Sequence, residues 1–233
     1  MIREATKDAR YWAECEAEYR RVIADIEQTQ SKAGLSASRG KRLALLKLNN
    51  RFRLMSARYS AGCPLEECRE LFLQCLHEAE QVWDLKSDYV DLVWYVSLGL
   101  VFDVDAEGAT ILRNIVDKTG YADQLLCAML NGLDPSHPVQ EIDTVPAPYT
   151  FASAVLDMEP RLAEQALAEY LKKHWYKGHR DTGWYDNHKL DNLKYVGYWS
   201  FETAALVKLL QLDDRILQAS PYYPAELAHY RRG

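Results

Sequence analysis

Residues 195–214 read YVGYWSFETAALVKLLQLDD, and SPYYP follows at 220–224. Wound as a helix over 195–212 at about 100° per residue, Ser200, Thr203, Lys208 and Gln211 fall on one narrow side and almost everything else is apolar. Glu202 is the exception, flanked on the wheel by Tyr195, Tyr198, Leu206 and Leu209. A helix apolar around most of its circumference belongs inside a protein. A carboxylate carried in with it must accept hydrogen bonds, pair with a cation or keep a proton.

Apolar residues recur three and four apart through most of the remaining sequence, glycine and proline are sparse, and alternating strand patterns are nearly absent, so an all-α fold is expected. Tyr11, Cys15, Tyr19, Val22 and Ile26 stripe a first helix, and Leu45, Leu48, Phe52, Met55 and Tyr59 a second. In SAGCPLEE, Gly62 ends that helix and Pro64 opens a third, whose early glutamates suit the N-terminal dipole. Leu65, Cys68, Phe72, Cys75, Ala79 and Val82 carry the third inward. DYVDLVWYVSLGLVF (88–102) reads as a central fourth helix, and two shorter ones follow in 103–120 and 121–133. The four prolines of 132–148 mark a long loop. Helices near 149–158 and 160–176 then lead through an aromatic loop into the opening stretch. About nine to ten helices are expected, in two halves packed together, with domains at 1–110 and 111–233.

Net charge is −6, but residues 1–60 hold 13 Lys/Arg against 7 Asp/Glu, residues 61–170 hold 5 against 20, and residues 171–233 hold 10 against 7. The acidic middle repels nucleic acid, whose binding relies on cationic contacts to phosphate, and steers toward a basic protein. Solvated helix faces are the alternative reading of the same acids. Five cysteines, odd in number and scattered over helical patterns, suit reduced core thiols. No apolar run approaches a membrane span, and the charged start MIREATKDARYWAECEAEYRR has no signal-peptide core. A cytoplasmic protein that binds neither membrane nor nucleic acid is expected.

Candidate chemistry is thin. His174, His179 and His188, with Asp181 and Asp186, can be imagined around a metal, but their spacings match no ligand signature. Asp213 and Asp214 precede RILQAS, where they suit capping of a following helix. For buried Glu202 the structural reading is a network with tyrosine hydroxyls or an arginine such as Arg58, and the functional one a general acid with a raised pKa. No partner acid, nucleophile or metal motif accompanies it. No catalytic residue, metal or cofactor is assigned.

At these residues the sequence resembles a known family. YVGYWSFETAALVKLLQLDD and SPYYPAEL, with WYDNHK upstream, are similar to the C-terminal domain of the PoNi immunity proteins, which neutralise PoNe-type DNase toxins delivered between competing bacteria. Gly197, Tyr198, Trp199, Phe201, Glu202, Ala205, Asp213, Asp214, Tyr222, Tyr223 and Pro224 carry the likeness, strongest over 185–228. RYSAGCPLEE resembles the accompanying N-terminal helical domain more weakly. The resemblance implies an all-α, non-enzymatic protein that binds a cognate nuclease toxin, with the motif holding the core. Within the acidic middle, Glu78, Glu80, Asp84, Asp88, Asp91, Asp103, Asp105 and Glu107 are the expected partner surface. The rivals are a metal-dependent hydrolase using Glu202 and the His/Asp loop, and a helical adaptor.

Overall fold

Five of the helices begin where a side chain caps the first turn. In the computed structural model, which describes residues 1–32, 34–84, 88–136 and 144–232, Asp8 accepts from Tyr11 N at 2.8 Å to start α1 (Ala9–Gln30), and Ser36 opens α2 (Ala37–Ala61). Pro64 and the glutamates Glu66 and Glu67 open α3 (Leu65–Val82). Asp88, Asp105 and Asp123 cap α4 (Tyr89–Val101), α5 (Ala106–Thr119) and α6 (Gln124–Leu133) through backbone N–H groups of their first turns. Then come α7 (Thr150–Ser153), a 3-10 turn at Ala154–Asp157 and α8 (Pro160–Glu169). A wider i→i+5 turn at Tyr170–Trp175, α9 (Tyr176–Gly178) and a 3-10 turn at Asn187–Lys189 follow. The last helices are α10 (Phe201–Leu210) and α11 (Ala225–Ala228), and no strand occurs among the described residues. Residues 137–143 of the proline-rich loop lie outside the described residues.

The chain forms two compact units. The first, Met1–Trp83 with Asp186–Gly197, is built on α1, α2 and α3. Trp12, Cys15, Tyr19, Ile23 and Ile26 of α1 are buried, as are Cys68, Phe72, Cys75, Leu76, Ala79 and Val82 of α3. α2 holds its neighbours with cations. Arg51 reaches Glu78 of α3 at 3.1 Å and Glu27 of α1 at 3.2 Å, Lys47 joins Glu78 at 2.8 Å, and Arg58 pairs with Glu16 and Glu67. The returning strap is fixed by its carbonyls: Tyr11 Oη donates to Tyr195 O at 2.8 Å and Ser60 Oγ to Val196 O at 2.7 Å.

The second unit, Asp84–Tyr185 with Tyr198–Gly233, is organised around α4, of which Tyr89, Leu92, Val93 and Tyr95–Val101 are buried. α10 and α6 pack on it. The Lys208 ammonium of α10 donates to Val101 O at 2.8 Å and Tyr230 O at 3.1 Å and pairs with Asp103 at 2.7 Å, tying the end of α4 to the C-terminal residues.

Two expectations fail for local reasons. Leu45 does not enter the core but is 42% exposed, because burial on α2 begins only at Leu48. The opening stretch is helical only from Phe201. Gly197 takes φ +94°, a left-handed conformation that interrupts a helix, and Ser200 N bonds Tyr222 O at 2.8 Å instead of a helical carbonyl. Tyr195–Ser200 is therefore not helical, and the wheel placing Tyr195 and Tyr198 beside Glu202 does not apply.

Gly62 closes α2 at φ +88°, with Cys63 N returning to Arg58 O at 3.0 Å. A Cβ there would stand 1.8 Å from Met1 O. Gly62→Ala should lower the stability of the first unit by about 1–2 kcal/mol from backbone strain alone and displace the N-terminal residues, measured by thermal melting and amide exchange at Arg3 and Glu4.

Candidate functional site

The residues that carried the resemblance build a buried polar centre in the second unit. Glu202 sits in the first turn of α10, fully buried, where the helix dipole favours an acid. Its Oε1 accepts from Tyr170 Oη at 2.9 Å and Ser200 Oγ at 2.6 Å. Since Ser200 has one proton and gives it to Glu202, Thr203 Oγ1, 2.7 Å away, donates to Ser200. The i→i+5 turn brings Tyr170 and Trp175 onto one side. Oε2 and Trp175 Nε1 are nonetheless both left without a hydrogen-bond partner, the indole biasing the carboxylate toward ionisation from short of bonding geometry. Burial outweighs these donors and pushes the Glu202 pKa up to about 7. Of the two partners expected for Glu202, the tyrosine hydroxyl is present in Tyr170, whereas Arg58 is engaged by Glu16 and Glu67 in the first unit.

Beside this centre, His179 Nδ1 lies 2.7 Å from Trp175 O and Nε2 2.9 Å from Tyr149 Oη. A carbonyl only accepts, so Nδ1 carries the proton and Nε2 accepts from Tyr149. Burial lowers the His179 pKa to about 4, and the ring is neutral. The other loop residues do not converge on it. His174 stacks on Phe151 at 3.8 Å, His188 packs against the Tyr195 ring at 6.0 Å and Asp186 pairs with Lys189 at 2.8 Å. No group of three or more His, Cys, Asp or Glu suited to a metal occurs among the described residues.

A second buried acid closes the C-terminus. Asp213 is exposed and binds Arg215, while Asp214 is buried and accepts from Tyr223 Oη and His229 Nε2 at 2.8 Å each and from Gln218 Nε2 at 3.0 Å. The helix they were expected to cap is a hydrogen-bonded turn, so Asp214 ties that turn to α11. Tyr222 stacks on Tyr176 at 5.5 Å and packs on Trp175 at 5.0 Å, Tyr198 Oη donates to Trp184 O at 3.4 Å, and Trp199 and Pro224 are buried. Apart from exposed Asp213 and half-buried Gly197 and Tyr222, the motif thus lies in the interior of the fold. Sequence reasoning missed Tyr170, Thr203, Tyr149 and His179 as its partners. Ser200 and Thr203, two positions before Glu202 and one after it, stood close enough in sequence to be found, whereas Tyr170, Tyr149 and His179 lie more than 20 residues away.

The eight acids expected to face a partner do not form one cluster. Glu78 and Glu80 lie on α3 in the first unit, and Glu78 is held by Arg51 and Lys47. In the second unit, half-buried Asp84 follows the end of α3, exposed Asp88 and half-buried Asp91 stand at the start of α4, and Asp103, Asp105 and Glu107 lie past its end, about 20 Å along the axis of a 13-residue helix. Asp103 pairs with Lys208, and Asp88 and Asp105 are caps. Glu107 is exposed in the first turn of α5.

Residues 3–113 match the family model described as PoNe immunity protein (PoNi), N-terminal, and residues 121–227 the one described as PoNe immunity proteins (PoNi), C-terminal. No curated protein sequence matches. Among solved structures the chain is similar in fold to that entitled "The Crystal Structure of Protein PA2201 from Pseudomonas aeruginosa", with TM-score 0.68 and 18% identity over 94% of this chain and 87% of that one.

Opposed titrations test the buried centre. Between about pH 4.5 and 7 the folded state holds one more proton than the unfolded at Glu202, so stability falls as pH rises through that window. Between about pH 6.5 and 4 the unfolded state holds one more at His179, so stability falls as pH drops. The two offset each other where the windows overlap. Glu202→Gln removes one of them. The variant's stability relative to wild type should be about 3 kcal/mol more favourable at pH 8 than at pH 4, measured by denaturant titration, and a difference independent of pH would contradict the raised pKa.

Proposed function

The chain belongs to the PoNi family of immunity proteins, which both of its halves match, and we propose that it protects the cell making it by binding a PoNe-like DNase toxin in the cytosol. The observation that carries this reading is the match over 3–113 and 121–227. Immunity of this kind is a binding function, and the motif residues fit it: they are consumed in fold-holding contacts, with Glu202 sealed beneath Tyr170 and Ser200 and Asp214 beneath Tyr223. The toxin setting is that of polymorphic antibacterial effectors delivered by a secretion system in competition between bacteria.

A nuclease holds polyanionic DNA on a basic surface, and the acidic middle of this chain, 20 Asp/Glu against 5 Lys/Arg over 61–170, is its electrostatic complement. We assign the contact to the acids at the two ends of α4, exposed Asp88 and half-buried Asp91 at one and exposed Asp105 and Glu107 at the other. Glu78 and Asp103 are committed to internal cations.

Co-expression with the toxin encoded beside it should restore growth, and a chain that neither binds nor protects would overturn the assignment. Asp88 and Asp105 double as helix caps, so Glu107 gives the cleaner probe. Glu107→Lys should slow association several-fold at low salt, an effect shrinking as salt rises, while thermal stability changes by no more than about 1 kcal/mol. An on-rate insensitive to both salt and this reversal would remove the acidic surface from the mechanism and leave immunity standing.

A further inference from the structure

The first three turns of α2 are built against their own stability. From Ala37 to Lys47, about 16 Å of helix, no residue is buried. Gly40, where a Cβ would meet no heavy atom within 4 Å, costs a helix interior about 1 kcal/mol. The segment has four cations, Arg39, Lys41, Arg42 and Lys47, and no acid, although positive charge near a helix N-terminus opposes the dipole. Leu45 and Leu46 are 42% and 49% exposed. Helices in proteins are held chiefly by burying a face, and in its first three turns this one only half-buries Gly40, Leu43, Ala44 and Lys47. Paired exposed leucines among cations mark a contact surface.

The arrangement selects the kind of partner. Counting about 100° per residue, Arg42 falls about 40° from Leu46, inside the arc between the two leucines, and Arg39 about 20° beyond Leu46. A helix lying on a membrane keeps its cations on the face opposite its apolar one, and leucines on a phosphate backbone would stay wet. The surface instead fits a protein with apolar side chains and carboxylates interleaved.

That surface exists on this chain. Where the second unit turns into α8, Met158 and Leu162 are 39% and 57% exposed, and Asp157 and Glu159 beside them are exposed too. Leu162 N and Ala163 N bond Glu159 O at 2.9 and 3.0 Å, so Glu159 and Leu162 belong to one turn at the corner, with Met158 directly before it. Neither Arg42 nor Glu159 has a side-chain partner among the described residues. We infer that the start of α2 in one copy docks on the Met158–Leu162 corner of a second copy, leucines against Met158 and Leu162 and Arg42 against Glu159. This self-association stands apart from toxin binding.

A charge exchange tests it. By sedimentation velocity and light scattering over a concentration series, the wild-type chain should associate, more weakly as salt rises. Arg42→Glu alone and Glu159→Arg alone should each associate roughly tenfold or more weakly, while an equimolar mixture of the two should associate again, since each variant then meets its complement. A wild-type chain monomeric throughout, including one that associates only with its toxin, overturns the inference. So does association unchanged by either substitution. Circular dichroism melts of both variants show that lost association is not lost folding.

Discussion

Everything in the second unit depends on how a carboxylate is kept inside it. Glu202 enters the core at the foot of α10, and burial alone would make its ionised form expensive. Two hydroxyls, Tyr170 from the wide turn after α8 and Ser200 from the residue before α10, converge on one of its oxygens. This contact joins chain segments 32 residues apart and fixes where α10 starts. Trp175, His179 and Tyr149 extend it toward α7, and Asp214 repeats the device at the C-terminus with Tyr223, Gln218 and His229. A core held this way is specific, because each donor must be in place for the acid to be tolerated.

The sequence made most helices legible, since their apolar stripes and caps are local. α3 buries Cys68, Phe72, Cys75, Ala79 and Val82 on the spacing that defined it, and Gly62 closes α2 in the left-handed conformation its position suggested. What it hid was set by distant residues. Tyr195–Ser200 reads as helix because an apolar run has no period of its own against a non-helical strap, and only the bonds to Tyr11, Ser60 and Tyr222 show otherwise. Arg58 was a sensible partner for Glu202 in composition, yet carboxylates of α1 and α3 hold it. The acids of the middle region looked alike in sequence, but some cap helices, some answer internal cations, and Glu107 faces water.

Charge is thus used in two ways. In the first unit, cations of α2 are drawn inward to bind the acids of α1 and α3, except at its exposed start. In the second, acids dominate, and Asp88, Asp105 and Glu107 at the ends of α4 are exposed. On the function we propose, this division has a purpose: the buried motif maintains the scaffold, and the acids at the ends of α4 are the proposed answer to a partner, since fold and specificity are separable.

Hydrogen–deuterium exchange on the full chain, free and bound to the toxin encoded beside it, tests that division most directly. Protection gained on binding should concentrate at the start of α4 and at Asp105–Glu107, while the amides around Glu202 are already slow in the free protein and change little. Protection confined to other surfaces, or a centre around Glu202 that exchanges fast until the toxin binds, would contradict the account.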